Sequence, residues 1–225
     1  MDRQHRSCDF CDEFSGGTQN AFAERYQDSL ADRTVLETNS FKVVPSLGQI
    51  VQGYLLVIPK THCCALADLP VESLEELDQL KLLLVSAMGA EYGTCVLFEH
   101  GTRAEGSGGC GISHAHLHVI PLPHAKDPLE KLQTSFRHER IPRITGLGII
   151  KPSCSYLYYE DTCGNCHVFY PTFLPSQYMR RILAESLGVE SWDWRASSRE
   201  ESVLVTLRQA SRILSGYPVM GTCRK

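Results

Sequence analysis

The stretch that most constrains the fold runs Gly108-Gly109-Cys110-Gly111-Ile112-Ser113-His114-Ala115-His116-Leu117-His118-Val119-Ile120-Pro121-Leu122. Three histidines recur at period two with apolar residues between them, and Val119-Ile120 prolong the run, which is the pattern of a β-strand. The three imidazoles then project from one face, neighbours about 6.5 to 7 Å apart, while Ala115, Leu117 and Val119 point into a packed layer. The chain has nine histidines, so three on one side of one strand are more than composition alone would place there. Gly108, Gly109 and Gly111 let the backbone approach a ligand closely, and their N–H groups can cradle an anion.

At 225 residues the chain suits one domain, or a domain with a substantial extension. Its 43% hydrophobic and 21% charged residues are those of an ordinary globular protein. A formal net charge of −4 argues against broad nucleic-acid binding through a basic surface. No run reaches the length of a membrane span, and Met1-Asp2-Arg3-Gln4-His5-Arg6 leads into polar residues without a signal-peptide core, so a cytoplasmic protein away from membranes is expected. Ten cysteines in that setting point to thiols or metal ligands rather than a disulfide framework. The vicinal Cys63-Cys64 agrees, because a disulfide between neighbours is strained.

Cys8-Asp9-Phe10-Cys11 is, by itself, open between a zinc half-site, a redox motif and chance. Gly53-Tyr-Leu-Leu-Val-Ile-Pro-Lys-Thr-His62 reads as a buried strand ending at Pro59 that delivers His62 just beyond. The spacing His114-Ala-His116-Leu-His118-Val-Ile, with its glycine-rich lead-in, resembles the defining motif of the histidine triad (HIT) superfamily over roughly residues 8 to 125. The resemblance implies an α+β fold around an antiparallel sheet with flanking helices, usually a homodimer, and attack by the middle histidine on a nucleotide α-phosphorus. It also implies a zinc ion: triad proteins with an N-terminal C-x-x-C hold one through both cysteines, the histidine after the Val-Ile-Pro-Lys strand and the first triad histidine. Here those are Cys8, Cys11, His62 and His114. Four protein ligands leave no open position, so that zinc would be structural. Two positions depart from the family pattern. Ser46 stands where many triad hydrolases carry a ribose-gripping aspartate, and Tyr54 where a further histidine is usual.

The chemistry suits imidazole. A nucleophile for a negatively charged phosphorus must not repel the anion and must leave easily, and neutral imidazole, with an unperturbed pKa of about 6.5, meets both conditions. His116, central on the strand, is assigned as nucleophile, its other ring nitrogen held by a backbone carbonyl. His118 would hydrogen-bond the phosphoryl group or the leaving atom, and the N–H groups of Gly109, Cys110 and Gly111 would stabilise developing charge. Gly111 and Cys110 replace the serine and glutamine that often precede the triad. The expected activity is therefore a nucleotide hydrolase or nucleotidyltransferase for a phosphoester, phosphoanhydride or phosphoramidate. A non-catalytic nucleotide- or metabolite-binding module is the alternative. A three-histidine metal-dependent hydrolase is weaker, because it lacks a nearby carboxylate and leaves Cys8, Cys11 and His62 unexplained.

Residues 17–30 predict a short helix, Thr34–Thr38 and Phe41–Pro45 two strands joined by Asn39-Ser40, and residues 71–91 the strongest helix, with Leu74, Leu77, Leu80, Leu84 and Met88 on one stripe. Thr94–His100 predicts the strand beside the triad strand, followed by a polar loop in which His100 reads equally as a substrate contact or an exposed residue. The core is taken as residues 1–140 with the zinc-binding segment. A charged helix from Pro128 to about Arg140 and a linker at 141–146 lead into a C-terminal α/β extension, 141–225, packed on the core or on a dimer partner. In it, Ser155–Glu160 and His167–Tyr170 form a hairpin around Cys163-Gly-Asn-Cys166, which reads as a pair of free thiols. A helix opening at Pro175 carries Gln177, Arg180 and Arg181 in its first two turns, where one of the two arginines is expected to reach the phosphate or the polar half of the substrate, in cis or across a dimer interface, with Gln177 and Arg181 taken as the substrate-binding pair.

Overall fold

The computed structural model describes residues 8–26, 29–102, 111–122, 126–150, 155–197 and 199–217. Eight strands, β1 (Leu36–Glu37), β2 (Phe41–Pro45), β3 (Leu55–Pro59), β4 (Cys95–Gly101), β5 (Leu117–Pro121), β6 (His138–Ile141), β7 (Tyr156–Glu160) and β8 (Cys166–Phe169), form one antiparallel sheet in the order β1-β2-β3-β5-β4-β7-β8-β6. The central strands are buried throughout because both faces are covered. Period-two alternation sorts their side chains. Leu55, Val57, Leu97, Leu117 and Val119 pack under helix α3 (Val71–Tyr92), while Leu56, Ile58, Val96, Phe98 and Ile120 face the other layer.

That second layer is built from α1 (Asp9–Phe14), α4 (Leu129–Ser135) and α5 (Tyr178–Ser186), which contribute Phe10, Leu132 and the Met179-Ile182-Leu183 stripe. Helix α6 (Glu200–Leu214) joins α3 on the first layer, and α2 (Ala21–Tyr26) packs Phe22 and Tyr26 against Trp194 and Val203. The sheet with helices on both faces is the α+β architecture expected.

The sheet continues past the expected core. β7 takes the outer edge of β4, with Phe98 opposite Tyr159, and β8 and β6 follow, so β6-β8-β7 repeats the order β3-β5-β4 about a central β4–β7 pair. A division at residue 140 falls inside β6, and the expected linker is packed: Ile141, Ile144 and Leu147 belong to the core. The expected helix to Arg140 stops at Ser135, where Thr134 and Ser135 turn their hydroxyls back onto the Glu130 and Lys131 carbonyls, competing with continuation of the helix. His167 occupies the place in β8 that His118 holds in β5, opposite Tyr159 and Phe98 respectively. Its strand is reached by the tight turn 161–165, whose N–H groups at Cys163 and Asn165 donate to Asp161, rather than by a glycine loop. Cys163 is exposed and Cys166 buried, both free thiols.

Candidate functional site

Cys8 caps the start of α1 and Cys11 lies within its first turn, so the C-x-x-C spacing brings both thiols to one end of the helix. The histidines arrive from the sheet. His114 Nε2 lies 2.9 Å from the Pro59 carbonyl oxygen; a carbonyl only accepts, so Nε2 carries the proton and Nδ1 presents a lone pair. That lone pair faces Cys8 Sγ at 3.2 Å and Cys11 Sγ at 3.6 Å, and His62 Nδ1 is 3.4 Å from Cys11 Sγ. In a tetrahedral site with ordinary zinc–sulfur and zinc–nitrogen bonds, ligand atoms stand about 3.6 Å apart. The four donors, all within 4.8 Å of one another, suit such an ion, and the Pro59 carbonyl is the outer partner that fixes a ligating imidazole. Cys8, Cys11, His62 and His114 are thus brought together as the resemblance implied, and could hold a metal ion.

The helix that carries the two cysteines also roofs the next histidine. The Phe10 ring stands edge-on to both His114 and His116, at 5.7 and 5.4 Å between centroids. His116 Nδ1 is 2.7 Å from the His114 carbonyl oxygen, so by the same reasoning Nδ1 is protonated and Nε2 holds the lone pair. β5 begins at Leu117, which leaves His114 and His116 in the extended lead-in rather than in the paired strand; the one-face projection survives, since His116 and His118 line one cavity while Ala115 and Leu117 pack beneath α3. His118 stacks on Phe98 at 4.0 Å, and the Tyr54 hydroxyl lies 2.5 Å from its Nδ1. Tyr54 therefore fills the place of the missing histidine with a direct contact to the triad.

The empty space around this cavity amounts to about 540 Å³, the open solvent at its mouth included. Burial pushes His116 down to about 4 and His100 to about 3, and holds His118 well below the usual imidazole value, so all three rings are neutral at neutral pH. Apolar walls come from Phe22, Leu47, Leu56, Ile112 and Trp194. Arg33, buried at 1% exposure, is held in the wall by a bidentate pair with Glu13 at 2.7 and 2.8 Å.

Ser46 and Gln177 line this cavity. Gln177 spends both ends of its amide on the chain, donating to Asp193 Oδ1 at 2.8 Å and accepting from the Trp194 N–H at 3.3 Å, so it positions Trp194. Arg181 is a correction: its side chain is 45% exposed and pairs with Glu185, one turn on, away from the cavity. Arg180 takes its place. Period-3.6 spacing puts residue 180 on the stripe with Leu183 and Ala184 and residue 181 with Glu185, a signal present in the sequence. His100 was legible in the same way. It follows Val96 and Phe98 at period two on β4, is 6% exposed, and lines the cavity rather than a solvent loop. Gly111 adopts a left-handed φ of +78°, and its carbonyl accepts from Arg195 Nη2 at 2.9 Å; a Cβ there would meet that nitrogen at 2.5 Å. Gly109 and Cys110 lie outside the described residues.

A histidine triad on an antiparallel α+β sheet, with a Cys/His cluster at its first member, defines a class of protein. Residues 28–125 match the model of the HIT domain. No curated protein matches the chain. Among solved structures it is similar to a member of the HIT family from Bacillus subtilis, at 20% identity over 53% of this chain and 75% of that one, with a TM-score of 0.41. A hypothetical histidine triad nucleotide-binding protein from Sulfolobus tokodaii is 16% identical over 93% of both chains, with a TM-score of 0.47. A Zn-bound histidine triad family protein from Mycobacterium smegmatis is 25% identical over 63% of this chain and 88% of that one, with a TM-score of 0.40.

Proposed function

We propose that the protein is a nucleotide hydrolase or nucleotidyltransferase that works through a covalent intermediate on His116. The observation that carries this reading is the 2.7 Å contact from His116 Nδ1 to the His114 carbonyl oxygen, which leaves a neutral ring with its Nε2 lone pair in a cavity shared with His118. In the first step Nε2 forms a bond to phosphorus and the bond from phosphorus to the leaving oxygen or nitrogen breaks, its electron pair going to that atom. The positive charge that develops on the ring is shared with Nδ1–H and met by the His114 carbonyl. In the second step the oxygen of water or of an alcohol bonds to phosphorus, its proton passes to solvent and balances the one taken up by the departed oxygen or nitrogen, and the pair of the Nε2–phosphorus bond returns to the ring. His118, oriented by Tyr54, contacts the phosphoryl group or the leaving atom.

Zinc held by Cys8, Cys11, His62 and His114 takes no part in these steps. Bound there, it ties α1 to the triad segment and fixes the His114 carbonyl on which the His116 tautomer depends. The nucleotide occupies the apolar pocket between Trp194, Phe22 and Leu47.

The test is turnover of a nucleoside phosphoramidate, a dinucleoside polyphosphate and a sugar nucleotide by the wild type and by His116→Asn. The expectation is release of the nucleoside monophosphate from at least one, lowered at least about a thousandfold in the variant. A rate on that substrate within tenfold of wild type in His116→Asn, or no turnover of any of the three, contradicts the reading.

A further inference from the structure

Three lysine or arginine side chains are buried among the described residues: Arg33, Lys81 and Arg180. Two have a carboxylate. Arg33 is bidentate to Glu13, and Lys81 meets Glu160 at 2.8 Å. Arg180, 4% exposed, has none within 4.0 Å among the described residues. Its Nε donates to the Trp192 carbonyl at 3.1 Å, its Nη2 to the same carbonyl at 3.0 Å and to the Gly48 carbonyl at 2.6 Å, and its Nη1 to Ser46 Oγ at 3.4 Å, a long contact. A guanidinium withdrawn from water without a counter-charge is costly, and neutral acceptors offset only part of that cost. Nε and Nη2 are committed to the two loops, which leaves the Nη1 edge.

That edge faces the chemistry. Ser46, its contact, lines the cavity, and the guanidinium sits 5.3 Å over the ring of Tyr54, whose hydroxyl touches His118. The cavity thus holds neutral imidazoles and one buried cation that no carboxylate contacts among the described residues, Asp193 acting with it only at longer range. Arg180 also lies outside the matched segment 28–125, on α5 of the C-terminal extension.

We propose that Arg180 is the anion-binding residue of this site, its Nη1 edge hydrogen-bonding a non-bridging oxygen of the phosphoryl group presented to His116, so that a residue outside the matched segment supplies positive charge to the site. Neutral Ser46, where a carboxylate would have paired internally with Arg180, leaves that guanidinium available to the ligand. The proposal rests on the reading of His116 as nucleophile, and its test separates the two.

Inorganic phosphate is the probe, titrated by calorimetry into the wild type, Arg180→Gln, Arg180→Lys and, as a charge control from the surface, Lys131→Gln. A charge-assisted hydrogen bond predicts that Arg180→Gln weakens phosphate binding by about 10- to 100-fold. Arg180→Lys should recover most of it, Lys131→Gln should bind as wild type, and kcat/KM should fall in parallel with affinity in Arg180→Gln. Unchanged phosphate affinity in a folded Arg180→Gln, or no phosphate binding by the wild type, overturns the proposal. Should Arg180→Gln not fold, the wild type decides: the Arg180 Nε–Hε resonance, assigned by its loss in Arg180→Lys, must shift on phosphate addition, and a resonance that stays put overturns the assignment. Arg180-dependent phosphate binding without any adduct on His116 would remove the nucleophile reading and leave this one standing; an adduct formed equally fast by Arg180→Gln, with unchanged affinity, would do the reverse.

Discussion

Replacing Glu13 by glutamine keeps the size of the side chain and removes the charge that holds Arg33. The pair is buried on both sides, with side-chain exposures of 1% for Arg33 and 9% for Glu13, and the third Arg33 bond goes to the Pro45 carbonyl at 2.5 Å, so the arginine cannot swing into water. Exposed ion pairs contribute about 0 to 1 kcal/mol, whereas removing one partner of a buried pair costs about 3 to 5 kcal/mol, because the remaining charge is uncompensated. Glu13→Gln retains one acceptor, which places the expected loss near the lower end, about 3 kcal/mol. For a chain of this length that corresponds to a fall in Tm of about 10 °C. Urea unfolding of the metal-loaded protein measures it, and Glu13→Gln/Arg33→Met should regain most of the stability, since the double variant leaves no charge behind. Because Glu13 lies in the last turn of the helix that starts after Cys8 and carries Cys11, zinc affinity should fall alongside. A loss under about 1 kcal/mol in the single variant would show the pair to be solvent-screened and α1 to be anchored by other contacts.

Glu99 is enclosed by the Leu66 N–H at 2.6 Å and the Tyr156 hydroxyl at 2.7 Å, and burial pushes its carboxyl up to about 7. The folded state then holds a proton that the unfolded chain has lost, so wild-type stability relative to Glu99→Gln should decline as pH rises from about 4.5 to about 7 and level off above; a flat difference across that window in thermal melts contradicts it. Gly48 has a φ of +62°, and a Cβ there would stand 2.6 Å from Trp194 Cα, so Gly48→Ala should cost more than about 1 kcal/mol and, by parting the 46–50 and 192–195 loops, lower turnover as well. Equal stability and activity in that variant would show that the loops are not in register. Tyr54→Phe removes the contact to His118 Nδ1 and should lower kcat by roughly fivefold to tenfold with little change in Tm, and an unaltered kcat would assign Tyr54 to packing alone. If the Cys8/Cys11/His62/His114 cluster holds zinc, Cys11→Ser should lower the metal per chain read by mass spectrometry and melt earlier; retention of one equivalent of zinc would mean that the ion sits elsewhere.

Much of this site can be read from alternation. Period two on 114–120 separates His116 and His118 from Leu117 and Val119, and the structure keeps that separation although pairing begins only at Leu117. The same rule applied one strand earlier places His100 on the face of Phe98, and His100 lines the cavity. Period 3.6 distinguishes Arg180 from Arg181, yet composition favours neither, since adjacent arginines at a helix start look alike until the apolar stripe is drawn through Ile182, Leu183 and Ala184. What no local pattern carries is the route of residues 138–169 into the same sheet. β6 reads as the end of a charged helix because His138-Glu139-Arg140 are all exposed, and only pairing with β8 makes them a strand. Likewise the proposed role of Arg180 depends on no carboxylate lying within 4.0 Å of it among the described residues, a property of tertiary packing that its neighbours in sequence do not report.

The central claim is that His116 bonds to phosphorus. Rapid quenching of the enzyme with an α-³²P-labelled nucleotide substrate, followed by peptide mapping under alkaline conditions that preserve phosphoramidates, measures it directly. The account predicts label on the peptide containing His116, assigned to that ring by fragmentation, forming and decaying at rates competent for turnover and absent from His116→Asn. Turnover with no acid-labile label on that peptide, or label that persists in His116→Asn, would contradict it.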